Sequence, residues 1–496
     1  MLYNSTRNSS ASVSSAQAIV KGISEEGGLF VPESFPQISL DDLKEISGKS
    51  YVERAEFVLG KFLTDFTPEE LHHCVSNAYR ADKFSSESIA ELAHLYKGIY
   101  MLELWHGPTC AFKDMALQLL PYLLTTSAKK VLSDKEIAIL VATSGDTGKA
   151  ALEGFKDVEG TKILVFYPED GVSNIQKLQM TTQQGGNVGV CAIKGNFDDA
   201  QTGVKKIFTD KAVGEKLAEH GIVFSSANSI NWGRLVPQIV YYFSAYCDLL
   251  ANGEIEAGDK INVVVPTGNF GNILSAYYAN LMGLPVNKFI CASNANNVLT
   301  DFIATGVYDR NRPFHTTISP SMDILISSNL ERLIYDLTGR DDKAVRSLFD
   351  QLSKEGRYEV SKEVKEKIQS MFYGGCCDDT QTKQTIKEIF DQYSYLCDTH
   401  TAVAVKVYEE YRAKTGDVTK TVIASTASPY KFTGSVLEAL GGNTAADDFA
   451  QIEELSELSK LEAPAQLANL KNCEVRFTKS IDKDGMEQAV FEALGL

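Results

Sequence analysis

The chain has 496 residues, 44% of them apolar and 23% charged, and carries a formal charge of −17. That length suits about three domains of ordinary soluble, globular composition. The acidic balance excludes a phosphate-backbone binder, which needs a concentrated basic face, so no nucleic-acid partner is expected and any anionic ligand depends on a local cationic pocket. The longest apolar runs, such as Ile137–Thr143 and Ile261–Pro266, are too short to span a bilayer, so no membrane association is expected. The start, Met1–Arg7, lacks a basic and then apolar leader, which points to a cytoplasmic protein. Nine scattered cysteines without a C-x-x-C pair predict reduced, mostly buried thiols, and His72-His73 lies outside any H-E-x-x-H frame, so no metal site is expected.

In chain order, residues 1–94 predict a mainly helical domain after an initial short strand. Helical spacing runs over Leu43–Leu63 and Pro68–Ala81, and Gly27-Gly28 precedes a short extended piece, Leu29–Val31. From about residue 95 buried strands alternate with helices. Glu136–Ala142 is a strand, Thr143–Gly148 a turn and Lys149–Phe155 the start of a helix. The same order recurs at Ile261–Pro266, Thr267–Asn272 and Ile273–Met282. Further strands are expected at Lys162–Tyr167, Val188–Ile193, Ile222–Ser225, Phe289–Ala292 and Thr419–Ala424. This rhythm predicts parallel sheets covered on both faces, divided at 95–245 and 246–496. Residues 325–395 are charged, helical and strand-poor, and predict a helical insertion. Glu453–Leu467 predicts an acidic helix and Glu474–Thr478 a late strand.

Four turns and one lysine carry chemistry. In Leu104–Asp114 a Gly-Pro loop leads to Lys113, which opens an apolar helix (Met115, Ala116, Leu119, Leu120, Leu123). Desolvation lowers a lysine pKa and makes the amine nucleophilic. Taken alone, Lys113 reads as an ordinary snorkelling lysine of a first helical turn. The loop Gly268-Asn269-Phe270-Gly271-Asn272 joins a strand to a helix, where backbone amides form a phosphate cradle or simply a tight turn using Gly for positive φ. It is not G-x-G-x-x-G, so no dinucleotide is indicated. Ser144–Lys149 fails the Walker spacing, and its hydroxyls suit a carboxylate, though Ser144 or Thr147 serves equally well as a plain N-cap. Asn228, Ser229 and Arg234 suit a second phosphate, or a capped turn with a surface Arg. Thr426 closes a late strand, where a hydroxyl either meets a ligand or makes a turn.

Taken together, seven ordered segments resemble the threonine synthase family, of tryptophan-synthase-β-like fold (pyridoxal phosphate fold type II). They are Glu25–Phe35, HGPTCAFKDMALQ around Lys113, TSGDTG, NSINWGR, PTGNFGN, Pro320–Leu333 and Asp398–Ala404. The resemblance covers nearly the whole chain, and TSGDTG and the helical insertion look like the family's longer branch. It implies pyridoxal 5'-phosphate as cofactor and O-phospho-L-homoserine as the small-molecule substrate, converted with water to L-threonine and phosphate. A monomer or homodimer is expected. By position, Lys113 matches the cofactor-holding lysine and proton carrier. Gly268, Asn269, Phe270, Gly271 and Asn272 match the cofactor phosphate loop, and Thr426 the hydroxyl facing the ring nitrogen. Ser144 and Thr147 match the loop receiving the substrate carboxylate. Asn228, Ser229 and Arg234 match the substrate phosphate site. Ser428-Pro429 departs from the His-Pro frequent in the family and puts the pocket rim in question. A phospholyase or dehydratase of the same fold is the alternative.

Overall fold

The structure is a computed structural model that describes all residues except 133, 134, 144 and 171, and omits the side chain of 198. Two sheets organise the chain. The larger has six strands in the order Phe372–Cys376, Val286–Ser293, Ile261–Pro266, Thr421–Ser425, Ile99–Glu103 and Glu91–Tyr96. All its pairings are parallel except the last, an antiparallel pairing of Glu91–Tyr96 with Ile99–Glu103. The smaller sheet is fully parallel, in the order Ser480–Asp482, Val188–Lys194, Thr161–Pro168, Glu136–Ala142 and Ile222–Ser225. The strand Ile261–Pro266 is buried at every position, as a parallel strand covered on both faces must be.

The 20-residue helix Trp232–Ala251 is buried along nearly its whole length. It packs against helices Leu40–Ser47, Tyr51–Gly60 and Gly271–Leu281, so it joins the N-terminal region to the large-sheet half of the molecule. Among the described residues no helix is long and apolar enough to cross a membrane.

The structure departs from the sequence expectations in several places. The expected boundaries at 95 and 246 do not follow the sheets. Ile99–Glu103 pairs with Thr421–Ser425 and so joins Ile261–Pro266, and Ser480–Asp482 returns to the edge of Val188–Lys194. The N-terminal region opens with three antiparallel strands, Leu2–Ser5, Asn8–Ser14 and Phe30–Pro32, rather than one. The helix expected over Leu43–Leu63 is two, because Ser50 and Glu53 form a capping box that starts a second helix at Tyr51. The insertion contains a strand, Phe372–Cys376, the outer edge of the large sheet. Two glycines hide it, yet they are required: a Cβ on Gly375 would stand 2.6 Å from Val407 and one on Gly374 3.1 Å from the Thr300 backbone. Finally, residues 474–479 form no strand, and the late strand is Ser480–Asp482.

Candidate active site

Lys113 ends the loop that follows Ile99–Glu103. This loop docks on the end of Thr421–Ser425: Leu104 N–H donates to the Ser425 carbonyl at 2.9 Å, Phe112 N–H to the Thr426 carbonyl at 2.8 Å, and Ser428 N–H to the Cys110 carbonyl at 3.0 Å. The expected single helix is a short one, Asp114–Leu117, followed by Leu120–Val131. Its predicted apolar face is correct, since Met115, Ala116, Leu119, Leu120 and Leu123 are all buried. Thr109 clamps the first turn, donating N–H and Oγ1–H to the Asp114 carboxylate at 2.8 and 2.7 Å. Burial pushes the Asp114 carboxyl up to about 6, against the pull of those two bonds.

Lys113 is only 9% exposed, and its ammonium lies 3.4 Å from Asp146 Oδ2 and 3.3 Å from Ser321 Oγ. Desolvation pulls its pKa below the ordinary lysine value while Asp146 pulls the other way. Asp146 also meets Lys431 Nζ at 2.7 Å and Gln176 Nε2 at 3.1 Å. Burial alone would raise the Asp146 carboxyl, but Lys431 and Lys113 outweigh it and hold it far below the usual range.

Residues 267–272 lie between Ile261–Pro266 and helix Gly271–Leu281. Positive φ falls on Phe270, at 63°, and on neither glycine. The glycine at 268 is needed for space: a Cβ there would stand 2.7 Å from the Ser321 carbonyl. Ser327 Oγ donates to the Gly268 carbonyl at 2.8 Å, and Asn329 N–H and Nδ2 donate to the Asn269 carbonyl at 3.1 and 3.0 Å. The helix start has no side-chain cap, and buried Asn272 Nδ2 has no partner among the described residues. Open helix-start amides, an orphaned amide donor and a loop too tight for a Cβ together fit a phosphate.

Thr143 Oγ1 accepts from Gly145 N–H at 3.0 Å and Gly148 N–H at 2.9 Å, shaping the turn that carries Asp146 and half-buried Thr147. Ser144 lies outside the described residues. Asn228 and Ser229 are half-buried, and Ser229 Oγ accepts from Asn329 Nδ2 at 3.3 Å. Arg234 is not the surface residue that a capped turn would give. It is 3% exposed, donates to the Ala227 carbonyl, leaves Nε without a partner and, among the described residues, has no carboxylate partner. Desolvation pulls its guanidinium down to about 10. Buried Thr426 has its backbone fixed by Phe112 and by Thr401 Oγ1, which accepts from its N–H at 3.3 Å. Ser428, the rim departure, is fully buried and caps the turn Pro429–Phe432 through Tyr430 N–H.

Sequence reasoning missed five groups that hold these loops: Asp146, Lys431, Ser321, His400 and Arg332. Ser321 N–H donates to His400 Nε2 at 3.1 Å, and His400 Nδ1 is 2.7 Å from Asp398. Fully buried Arg332 donates to the Phe30 carbonyl at 3.0 Å and the Ile230 carbonyl at 2.7 Å, and also to Asn329. It thereby ties the N-terminal strands to the loops at 228–234 and 267–272. Asp146, Ser321, His400 and Arg332 lie within the segments that carry the resemblance, which was the one available signal, and Lys431 lies outside them. At the start of the Lys113 loop, Glu91, Glu103 and His106 bring three metal-capable atoms within 4.8 Å of one another. His106 there hydrogen-bonds Glu103 at 2.8 Å and Ser85 at 2.9 Å.

Three family models match in order: threonine synthase N terminus over residues 2–79, pyridoxal-phosphate dependent enzyme over 86–363, and threonine synthase, C-terminal, over 401–490. Threonine synthase-like 1 of Homo sapiens is 42% identical over 86% of this chain, which spans 58% of that protein's length. Threonine synthase of Pseudomonas aeruginosa is 38% identical, covering 88% of this chain and 90% of its own. The solved pyridoxal-phosphate-bound threonine synthase from Brucella melitensis superposes with a TM-score of 0.88 at 35% identity, covering 99% of both chains. The yeast enzyme gives 0.88 at 33%, covering 100% of this chain and 99% of its own. With three models in register and relatives matched nearly end to end, this chain belongs to the threonine synthase family of pyridoxal-phosphate-dependent enzymes.

Proposed function

We propose that this chain converts O-phospho-L-homoserine and water to L-threonine and inorganic phosphate, the last step of threonine biosynthesis. The observation that carries it is Arg234, a buried guanidinium with no carboxylate partner among the described residues, adding its positive field to the buried amine of Lys113. Residues 267–272 suit the cofactor phosphate, so an Arg without an ion pair among the described residues near Lys113 suits a second phosphate, one carried by the substrate. Support for the family setting comes from the threonine synthases matched above.

The cofactor would be held by Lys113, by the loop Gly268–Asn272 and by the Thr426 hydroxyl. When bound, it supplies an electron sink for charge developing on the substrate carbons. The chain's own groups then do the rest. Thr147, with Ser144, receives the substrate carboxylate at a helix start, where the dipole favours an anion. Arg234, Asn228 and Ser229 hold the phosphate that leaves. Lys113, free as an amine, takes the proton from Cα and moves it along the substrate, and Asp146 stabilises the ammonium so formed. The cationic groups offset locally a chain charge of −17 that would otherwise repel a dianionic ligand.

Residues 1–94 form the N-terminal unit of this assignment, 95–245 the half with Lys113 and 246–496 the half with the phosphate loop, apart from the strands exchanged between sheets. A monomer or homodimer in the cytoplasm completes it; nine free cysteines suit a reducing compartment. Supplying O-phospho-L-homoserine and scoring phosphate, threonine and 2-oxobutyrate tests the reaction. Threonine with stoichiometric phosphate supports it, and 2-oxobutyrate as the main product would assign a lyase of the same fold instead.

A further inference from the structure

Asp146 is one carboxylate shared by two buried lysines. Oδ1 meets Lys431 at 2.7 Å, and Oδ2 faces Lys113 at 3.4 Å. Lys431 is 2% exposed as a residue with its side chain wholly enclosed, and it also donates to the Thr109 carbonyl at 2.9 Å. It sits in the turn Pro429–Phe432 beyond the large sheet, whereas Asp146 opens the helix Asp146–Phe155 of the smaller one. The ion pair therefore bridges the two sheets directly beside Lys113.

Two ammonium groups in a low-dielectric site need two carboxylates, and here one serves both. Lys431 has the shorter contact and a second acceptor, so it takes the larger share of the Asp146 charge. Lys113 has the longer contact and a hydroxyl, and it also feels Arg234. The group that sheds its proton is then Lys113. We infer that Lys431 is a positioning residue that activates Lys113, by competing for their shared counter-ion and adding positive potential beside the amine. The same pair explains how an ionised Asp146 is tolerated in the pocket.

The groups facing Lys113 are Asp146 from helix Asp146–Phe155, Lys431 from its turn, Arg234 from helix Trp232–Ala251, and Ser321, which His400 positions, while the Asp114 carboxylate is turned to Thr109. Without Lys431, Asp146 pairs with Lys113 alone and holds it protonated to higher pH. The inference rests on Lys113 being the cofactor lysine proposed above, but it does not depend on the substrate.

The test uses the full chain, stripped of cofactor and then given pyridoxal phosphate. It follows the visible-edge absorbance of covalent attachment against pH, with a trapped-peptide map of the attachment site. Lys431→Met should move the half-point alkaline by about one unit, making attachment roughly tenfold slower near neutrality, while Lys431→Arg stays close to wild type. Asp146→Asn with Lys431→Met should return the half-point toward wild type, because the competing hold on Lys113 has gone too. A folded Lys431→Met protein with an unshifted half-point, or a double variant as alkaline as Lys431→Met, overturns the inference. If Lys431→Met does not fold, Lys431→Gln, which keeps a donor for the Thr109 carbonyl without the charge, decides by the same half-point, an alkaline shift supporting the inference and none or an acid one overturning it. Wild type that attaches no cofactor at Lys113 defeats the cofactor assignment instead.

Discussion

The backbone N–H of Phe112 donates to the carbonyl of Thr426 at 2.8 Å. The segment that presents Lys113 and the strand end that presents Thr426 are therefore one rigid unit, although 313 positions separate their numbers (426 − 113). A cofactor gripped by both side chains meets a preorganised pair.

Thr426→Val keeps the size of the side chain and the backbone bonds while removing the hydroxyl. A lost neutral hydrogen bond costs about 0.5–1.5 kcal/mol, so cofactor affinity should fall up to roughly tenfold with thermal stability nearly unchanged. Absorbance titration with pyridoxal phosphate reads this out, and wild-type affinity would remove Thr426 from the cofactor site.

Gly268→Ala places a Cβ 2.7 Å from the Ser321 carbonyl, a backbone atom that cannot swing aside. The turn at Pro320–Met322 must then move, and the Ser321 hydroxyl is displaced from Lys113 and Asp146. Cofactor binding should weaken at least roughly tenfold. Gly48→Ala, with open space around its Cβ and no positive φ, is the matched control and should bind as wild type does. Equal cofactor affinity in both variants would contradict the cradle.

Arg234→Ala removes a cation that carries no ion pair among the described residues, so the melting temperature should hold or rise. Substrate binding should lose about 1.5–3 kcal/mol, a charge-assisted contact, which is roughly a tenfold to hundredfold fall in kcat/KM. Inhibition by inorganic phosphate should weaken in parallel. An unchanged kcat/KM for O-phospho-L-homoserine would exclude Arg234 from the phosphate site.

Asp114 gives a pH dependence of stability with a definite sign. Its carboxyl titrates at about 6 in the fold against an ordinary value of 3.8. Between those values the folded state binds more protons than the unfolded one, so stability falls as pH rises through this window. Integrated over about two pKa units, the loss is about 3 kcal/mol and is complete above pH 6. Denaturant melts of wild type and Asp114→Asn should diverge by that order between pH 4 and 6. Parallel curves would show that Asp114 is not the group responsible.

Much of this was legible in the sequence because buried parallel strands are short apolar runs ended by turns, as at Glu136–Ala142 and Ile261–Pro266. Phe372–Cys376 was not, since its two glycines serve helices packed close on the sheet and leave no strand signature. Lys113, its loops and Thr426 could be named as candidates only through the seven ordered segments taken together, because locally each reads equally well as a snorkelling lysine, a cap or a tight turn. Lys431 could not: Ser428-Pro429-Tyr430-Lys431-Phe432 gives no local sign that its lysine crosses to the other sheet. Nor does the sequence show that Phe270 rather than a glycine takes the left-handed conformation, because the space against Ser321 is set by a segment some fifty positions away (321 − 268).

The central claim is that Lys113 holds the cofactor and moves protons in making threonine. Wild type and Lys113→Ala, each supplied with pyridoxal phosphate and O-phospho-L-homoserine, should differ completely. Wild type shows visible-edge absorbance and yields threonine and phosphate together, and the variant shows neither while its circular dichroism stays native. A Lys113→Ala protein that is coloured and releases threonine would contradict the account.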